Sequence, residues 1–536
     1  MNIIDNLAVW LIGLDFKKKL LLSYKKAKLE KSIEKLNNLK KELYKIDLDI
    51  KNKYYLKSIF GCAINEAELI VKQYISCRGY FYRINRFLLL GNKFIHKNLI
   101  IPAPTSWLLF LKKKGFKVNL LISGIFWNIN IFIYYFYGIY KIIKIILYSL
   151  FYKNNKSENE YLYFINLNQD FIPKNVKTKT YDLISSFIDR IDSNSYPNII
   201  CHSVGSCKDD FFIDGKKIRY LSNFMPPIER KKLLSFIFWS FKAIFYCGVE
   251  IIIGRWWNGI MLSQAAIANQ IRYSDRTKLA AEYVFNNSEW IYRPLWTYEA
   301  EKLGSKVSLL FYSTNCEEWI SGRNKADIPI GYEAMSWKNY YIWDDYQENF
   351  LKNSSNKLER KFTKFGYIGL SDVDHEVDLG LSKTNIAVFD VSPHKMIYFC
   401  AYFDVLNHYN NSNAIKFMND IIETGRQLNK KILWKAKRTL GPHIHSGYSK
   451  MHSNFISDNK SIVLLDPTIS AIKIIKSSSA VISRPYTSTA LIAKALNIPS
   501  IYYDPSGLLI PNDPAAHGIK VVQSKIALKF WLESLS

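Results

Sequence analysis

The stretch that decides the fold is residues 477–507, SSSAVISRPYTSTALIAKALNIPSIYYDPSG. Its residues 480–484 and 499–503 are short apolar runs that predict buried strands, and residues 487–496 between them predict a helix. Strands that are apolar along their whole length and are joined by helices are typical of a parallel sheet with both faces covered. The stretch therefore predicts an α/β fold.

The same alternation continues along much of the chain. Beyond this stretch it predicts strands at 161–167, 199–202, 289–292, 307–312, 340–344, 385–391, 431–435 and 462–466, and helices at 297–303, 412–428, 469–477 and 524–535. Residues 345–382 are polar and predict a linker. We therefore predict two α/β units that face a cleft, with boundaries at 158–382 and 383–536, after a helical extension at 1–157.

Positive charge is concentrated in the extension. The 536 residues include 73 Lys+Arg and 46 Asp+Glu, for a formal net charge of +27, and residues 1–157 alone carry +19. The remainder carries only +8 and has no recognisable nucleic-acid-reading motif, which argues against a nucleic-acid partner. With 49% hydrophobic residues the chain can bury large cores, which excludes wholesale disorder.

The extension also contains a segment of membrane character. Residues 120–140 form 21 consecutive positions without a charge, flanked by lysines, and about 20 apolar residues are enough to cross a bilayer. Asn128 and Asn130 interrupt the segment, so three alternatives stand: interfacial attachment, a true span, or a buried core helix. A second apolar stretch at 233–257 contains three charged residues and predicts a domain helix, which would extend a membrane-facing side.

Cysteines and the N-terminus restrict the compartment. The seven cysteines are scattered and include no CxxC pair, so we expect a reducing compartment without disulfides or structural zinc. Residues 1–14 are apolar but have no basic n-region, so we expect no cleaved signal peptide. The aspartate pair Asp372 and Asp374 lies in the predicted linker, and no metal is implied.

Hydroxyl side chains mark the most informative candidate site. The predicted strand that ends in Ser483, Arg484 and Pro485 runs through Tyr486 into Thr487, Ser488 and Thr489 at the start of a helix. Free backbone N–H groups and the helix dipole favour a phosphate there, and three hydroxyls exceed what one helix cap needs. The alternative is an ordinary cap, although no Glu or Gln completes a capping box.

Charged residues at other strand ends predict further parts of this site. Lys435, Lys437 and Arg438 follow an apolar strand and would complement nucleotide phosphates, unless they form a solvated loop. Asp390 and Asp504 end two other strands. Each carboxylate could hold a sugar hydroxyl or cap its own loop.

Several separated segments resemble one family, the bacterial polysaccharide biosynthesis proteins with the PFTS motif. The matching segments are RPYTSTALIAKAL at 484–496, SIYYDPSG at 500–507, NIAVFDVSPHK at 385–395, IYRPLWTYEAEKLG at 291–304 and FYSTN at 311–315. Tyr486 stands where the name-giving motif has Phe. The family resembles glycosyltransferases of the GT-B type, which implies two Rossmann-like domains facing a cleft.

The resemblance implies transfer of a sugar from a nucleotide-sugar to a surface polysaccharide or a lipid-linked glycan. The donor, linked to CMP, UDP, GDP or CDP, would bind the C-terminal domain without a metal or other cofactor. Arg293 and Trp296 would bind the acceptor, although Trp296 could equally be core. His202, Asp209 and Asp210 are candidates for the base. We expect peripheral or monotopic attachment to the cytoplasmic face of a bacterial inner membrane. The alternative is a non-catalytic assembly protein that retains the fold.

Overall fold

The computed structural model describes most of the chain, with gaps between the described ranges. The described residues are 16–30, 32–46, 50, 56–77, 87–91, 99–152, 160–167, 169–172, 183–191, 196–286, 293–313, 332, 335–354, 359–367, 385–395, 410–437, 440–457, 461–467 and 469–535. Both predicted domain boundaries, at 157/158 and 382/383, lie outside these ranges.

Sheet one consists of eight strands in the order β3-β4-β2-β1-β5-β6-β7-β8. Only the hairpin pair β3–β4 is antiparallel, and all other neighbours run parallel. The strands are β1 (Tyr161–Ile165), β2 (Ile199–His202), β3 (Phe211–Ile213), β4 (Lys216–Tyr220), β5 (Glu282–Asn286), β6 (Lys306–Leu310), β7 (Asn339–Ile342) and β8 (Lys361–Lys364).

Sheet two consists of six parallel strands in the order β11-β10-β9-β12-β13-β14. Strands β10 and β11 lie on one side of β9, and β12, β13 and β14 lie on the other. This is the Rossmann order, with its switch point between β9 and β12. The strands are β9 (Ile386–Asp390), β10 (Ile432–Ala436), β11 (Ile462–Leu465), β12 (Ala480–Ser483), β13 (Ser500–Tyr503) and β14 (Lys520–Val522).

Helices connect the strands and build the extension. They are α1 (Phe16–Leu29), α2 (Ile33–Lys45), α3 (Ile64–Cys77), α4 (Thr105–Lys113), α5 (Leu120–Phe151), α6 (Leu183–Ile188), α7 (Leu233–Ile252), α8 (Trp257–Arg272), α9 (Leu295–Lys302), α10 (Asp345–Ser354), α11 (Asn411–Gln427), α12 (Ser446–Ser457), α13 (Ala471–Lys476), α14 (Ser488–Ala495) and α15 (Lys525–Glu533).

Alternating side chains of each strand enter different cores. In sheet two, Val388 and Trp434 pack into the core on one face, while Ala387 and Leu433 pack into the core on the other. Successive side chains of a strand point to opposite faces of the sheet. Because both faces are covered by a core, consecutive positions of the strand are apolar. The predicted fold class, an α/β fold with two Rossmann-like parallel sheets, is confirmed.

One predicted element lies outside the described residues, and another differs in the structure. The strand predicted at 289–292 lies outside the described residues, and the strand in this part of sheet one is β5, seven residues earlier. The predicted linker contains α10 and β8: Phe350 and Leu351 give α10 a buried face, and Asp344 caps it by accepting a bond of 3.0 Å from the Gln347 N–H.

The extension shares a continuous hydrophobic core with sheet one. Helix α8 is buried along nearly its whole length and packs on both α5 and α9. The Gly259 position on α8 is especially close to α5: a Cβ atom built there would lie 2.8 Å from the carbonyl oxygen of Ile131. The backbones of α5 and α8 can approach this closely only because residue 259 has no side chain.

We predict that Gly259→Ala lowers the melting temperature, because the added methyl meets backbone that cannot rotate away. Overpacking of this kind costs about 1–3 kcal/mol. The matched control is Gly124→Ala on α5, where a Cβ meets no atom within 4 Å, and its melting temperature should stay the same or rise. Thermal unfolding of the two variants and the parent measures the difference, and equal melting temperatures would contradict the predicted close approach.

Candidate functional site

The switch point of sheet two brings two strand ends together. Ser483 of β12 is in register with Phe389 of β9, and the Arg484 N–H donates to the Phe389 carbonyl at 3.0 Å. The segments after these strands, 391–395 and 484–487, therefore leave the sheet side by side. Ligands of open parallel sheets bind in the crevice at such a point.

Hydroxyl groups line the start of α14, directly after β12. The hydroxyls of Ser483 and Thr489 lie 2.8 Å apart, and that of Thr487 lies 3.3 Å from Thr489. Thr487 is the N-cap residue, but its hydroxyl donates back to the Arg484 carbonyl at 2.8 Å and makes no cap bond to the helix. The Thr487 side chain therefore does not act as an ordinary helix cap. The start of α14 combines hydroxyl groups with the positive end of the helix dipole.

A strained turn holds this helix start in position. Tyr486 has a φ of +60°, a left-handed conformation that is uncommon for a residue with a side chain. Its ring is buried, and its hydroxyl donates to the Asp513 carboxylate at 2.8 Å. The Tyr502 hydroxyl donates to the Thr487 carbonyl at 2.8 Å. Tyrosine in place of the motif's phenylalanine thus adds one hydrogen bond that fixes the turn.

Beneath the turn lies a buried polar cluster of Arg484, Asp390 and Tyr448. The Asp390 carboxylate accepts from the Val391 N–H at 2.7 Å and from the Tyr448 hydroxyl. Burial raises the pKa of Asp390, and the Arg484 charge and both hydrogen bonds oppose that rise. The Arg484 guanidinium lies over the Phe417 ring at 5.1 Å. Asp390 is therefore held inside the cluster, and its Oδ1 caps the start of its own loop.

Two predicted donor residues are turned away from the crevice. Strand β10 continues through Ala436, so Lys435 lies within it, and its Nζ donates to the Pro467 carbonyl at 3.1 Å. Burial lowers the pKa of Lys435. Asp504 is buried, and its oxygens accept from the N–H groups of Ser506 and Leu509 at 3.0 Å each. Of the two roles considered for Asp504, the carboxylate caps its own loop.

Two predicted cations remain at the end of β10. Lys437 is exposed, and its N–H donates to the Asp390 carbonyl at 3.2 Å, which fixes it beside the switch point. Arg438 lies outside the described residues.

Three residues that the sequence did not assign to the site lie at this edge. The loop after β9 pairs with 443–445 through bonds of 2.9 Å from the Lys395 N–H to the His443 carbonyl and from the His445 N–H to the Pro393 carbonyl. The rings of His394 and His443 are thereby 4.8 Å apart, and Tyr448 follows on α12. A histidine just after an apolar strand was an available signal for His394. The position of His443 depends on this pairing and had no local signal.

The candidate bases lie at the carboxyl end of β2. His202 is 0% exposed, its Nδ1 accepts from the Val204 N–H at 3.2 Å, and its Nε2 has no hydrogen-bond partner among the described residues. Burial lowers the pKa of His202 to about 4, against the opposing charge of Asp210. Asp209 and Asp210 are both exposed, and Asp210 forms ion pairs with Lys217 and Arg219. A buried imidazole cannot reach an acceptor hydroxyl, which leaves the two aspartates as the accessible members of the three.

The predicted acceptor residues are in the core. Trp296 is 4% exposed and packs its ring against those of Tyr283 and Phe285, at centroid distances of 5.0 and 5.8 Å. Arg293 is buried too, and pairs with Glu301 at 2.5 Å. The buried alternative for Trp296 is correct. Neither side chain offers a surface to a sugar.

In the part of the chain that the structure describes, no three His, Cys, Asp or Glu side chains are grouped so that they could hold a metal ion. The aspartates Asp372 and Asp374 lie outside that part. A direct contact joins the two sheets: the Asp344 carboxylate, which follows β7 of sheet one, lies 2.7 Å from the Nδ1 atom of His517, which precedes β14 of sheet two.

Two Rossmann-like sheets, with a hydroxyl-lined helix start at the switch point of the second, define a GT-B-like fold. The model of the polysaccharide biosynthesis PFTS motif proteins matches residues 239–532, more than half of the chain. The chain belongs to this family, which confirms the resemblance seen in the sequence. No curated protein matches it.

Solved structures similar to the chain are distant. They include the UDP-GlcNAc 2-epimerase of Methanocaldococcus jannaschii, with 11% identity over 70% of this chain and 92% of that chain and a TM-score of 0.32. MurG of Acinetobacter baumannii has 8% identity over 70% of this chain and 90% of that chain, with a TM-score of 0.30. Similarity at this level has no bearing on substrate or mechanism.

We predict that His202 makes the protein less stable in acid. Its pKa is about 4 in the folded chain and near its ordinary 6.5 when unfolded, so between these values the unfolded state binds more protons. Stability should therefore fall as the pH drops from 6.5 toward 4. His202→Asn keeps an acceptor for the Val204 N–H and should show a smaller drop in melting temperature between pH 7 and pH 5. A His202 imidazole NMR signal that titrates near pH 6.5 would contradict the prediction.

Proposed function

We propose that the protein is a glycosyltransferase that moves a sugar from a nucleotide-sugar donor to a bacterial surface polysaccharide or a lipid-linked glycan. The observation that carries the proposal is the start of α14, where the hydroxyls of Thr487, Ser488 and Thr489 stand at a helix N-terminus beside the β9–β12 switch point. Membership of the polysaccharide biosynthesis family supports a role in making a polysaccharide.

The donor phosphates would bind at this helix start. The N–H groups of the first turn and the helix dipole favour negative charge, and the Ser488 hydroxyl can donate to a phosphate oxygen. Lys437, and Arg438 beside it in sequence, would add positive charge at the end of the neighbouring strand. The site relies on N–H groups, hydroxyls and cations for charge stabilisation, and the proposal includes no metal.

The reaction would break the bond between the sugar's anomeric carbon and the phosphate oxygen, and form a bond from that carbon to the acceptor oxygen. The leaving phosphate gains negative charge, which the helix start stabilises where it develops. The acceptor hydroxyl must lose its proton to a base. Asp209 and Asp210 at the sheet-one side and the His394–His443 pair at the sheet-two side are the accessible candidates.

We predict that the double substitution Thr487→Val and Ser488→Ala weakens nucleotide binding. Valine keeps the branched shape of Thr487, so packing changes little. The double change removes the Ser488 hydroxyl donor and the Thr487 bond to the Arg484 carbonyl that holds the turn. Each hydrogen bond to a charged group contributes about 1.5–3 kcal/mol, so affinity for the best of CMP, UDP, GDP and CDP should fall by roughly tenfold or more. Isothermal titration calorimetry measures the affinity.

The matched control is Ser524→Ala at the start of α15. The Ser524 hydroxyl accepts from the Ala527 N–H at 3.1 Å and so serves only as a cap. Its loss should lower stability and leave nucleotide affinity unchanged. Equal affinity in the double variant and the parent would place the phosphates elsewhere. If no nucleotide binds the parent protein at millimolar concentration, the non-catalytic assembly role is favoured instead.

A further inference from the structure

Helices α5 and α7 form an antiparallel pair on the surface of the protein. The Ile228 N–H, just before α7, donates to the Ser149 hydroxyl near the end of α5 at 3.0 Å. In the middle, the Tyr135 hydroxyl donates to the Ile244 carbonyl at 2.9 Å. At the other end, the rings of Trp127 and Trp256 are 5.1 Å apart. The two helices therefore run side by side over most of their length.

The outer faces of both helices are apolar and exposed. On α5 the exposed residues recur every three or four positions: Leu121, Ile125, Ile129, Phe132, Phe136, Tyr140, Ile143, Leu147 and Leu150. On α7 the same spacing gives Leu234, Phe238, Phe241, Phe245, Val249 and Ile252. We call these two stripes together the docking face. Apolar patches of this extent are unusual on the surface of a soluble monomer and mark an interaction site.

The inner faces are fixed to the protein along the length of the pair. Ile131 of α5 meets Gly259 of α8, and Gly138 of α5 meets Leu262. Both α5 and the helical segment Arg230–Ile252 are long and apolar enough to cross a membrane. A crossing would have to carry α8, and the sheet-one core behind it, into the lipid. The packing therefore favours helices that lie along a bilayer and disfavours a span.

The charges around the docking face are positive. Lys144 on α5, Lys242 on α7 and Lys231 before α7 are exposed. Helix α5 contains no acidic residue, and the one acidic residue of α7, Glu250, is buried and paired with Arg255 at 2.5 Å. Lysines around an apolar helical surface are suited to anionic lipid, because their stems pack on the apolar face and their charges reach the headgroups.

We propose that the docking face of α5 and α7 inserts into the interfacial zone of an anionic phospholipid bilayer without crossing it. The attachment would hold the protein beside lipid-linked glycans on that membrane. The proposal does not depend on the proposed transferase activity, since it rests on the exposed stripes, the packed inner faces and the surrounding lysines.

The test measures binding of the full chain, without nucleotide, to preformed vesicles of phosphatidylcholine with and without phosphatidylglycerol. The parent protein should bind the phosphatidylglycerol vesicles, bind pure phosphatidylcholine more weakly, and dissociate partly at high salt. The double substitution Phe241→Glu and Phe245→Glu should lower vesicle affinity about tenfold or more, because it places two charges on the inserted face.

The matched control is Phe530→Glu on α15. Phe530 is 66% exposed, close to the 67% of Phe245, but lies outside the docking face, and its substitution should leave vesicle binding unchanged. Unchanged binding by the double variant would overturn the proposal, as would equal binding to both kinds of vesicle. Irreversible incorporation would indicate a span. A parent dimer that the double variant converts to a monomer, with no vesicle binding, would identify the face as an interface between two copies.

Discussion

The pairing of β9 with β12 is the constraint on which the candidate site depends. These strands are far apart in the sequence, and they become neighbours only because the chain returns to β9 after completing β11. Their parallel register sets Phe389 against Ser483, so the loop after Asp390 and the turn at Tyr486 leave the same edge of the sheet. A shift of one residue would move every side chain of β12 to the opposite face. The apolar cores on both faces therefore fix the position of the hydroxyl-lined helix start of α14.

The buried cluster below the turn shows how the edge is kept rigid. Arg484 and Asp390 are almost completely buried, and burying charged groups is costly unless they are compensated. Here the carboxylate has donors from Val391 and Tyr448 and a cation nearby. Such a network makes a single arrangement of the strand ends more favourable than its alternatives. The left-handed Tyr486 follows directly, and its bond to Asp513 compensates part of the strain of that conformation.

The sequence predicted what depends on local patterns. The apolar runs of sheet two became strands close to the predicted positions, and the hydroxyls after Ser483 are at a helix start, because burial on both faces leaves a direct compositional signal. The errors have three physical causes. For Lys435, the strand continued one residue beyond the predicted end, so a side chain expected at the edge lies within the sheet. For Tyr448 and His443, the positions depend on pairing between distant segments, which no local pattern encodes. Helix α10 was hidden in a polar segment because only a narrow face of it is buried.

The extension has to be considered together with sheet one. Gln73 of α3 accepts the Arg293 N–H at 3.2 Å and donates to the Ser336 hydroxyl at 3.1 Å, both inside the core. These bonds, and the close packing of α5 on α8, join the extension to sheet one. The positive charge and the apolar helices are thus parts of the same body as the α/β sheet. A protein of this construction that docked through α5 and α7 would hold sheet one at a fixed distance from the membrane, because helices packed this closely move together. An acceptor anchored in the same membrane would then be presented to the protein from one side, and the position of the docking face would restrict which glycans can reach the crevice.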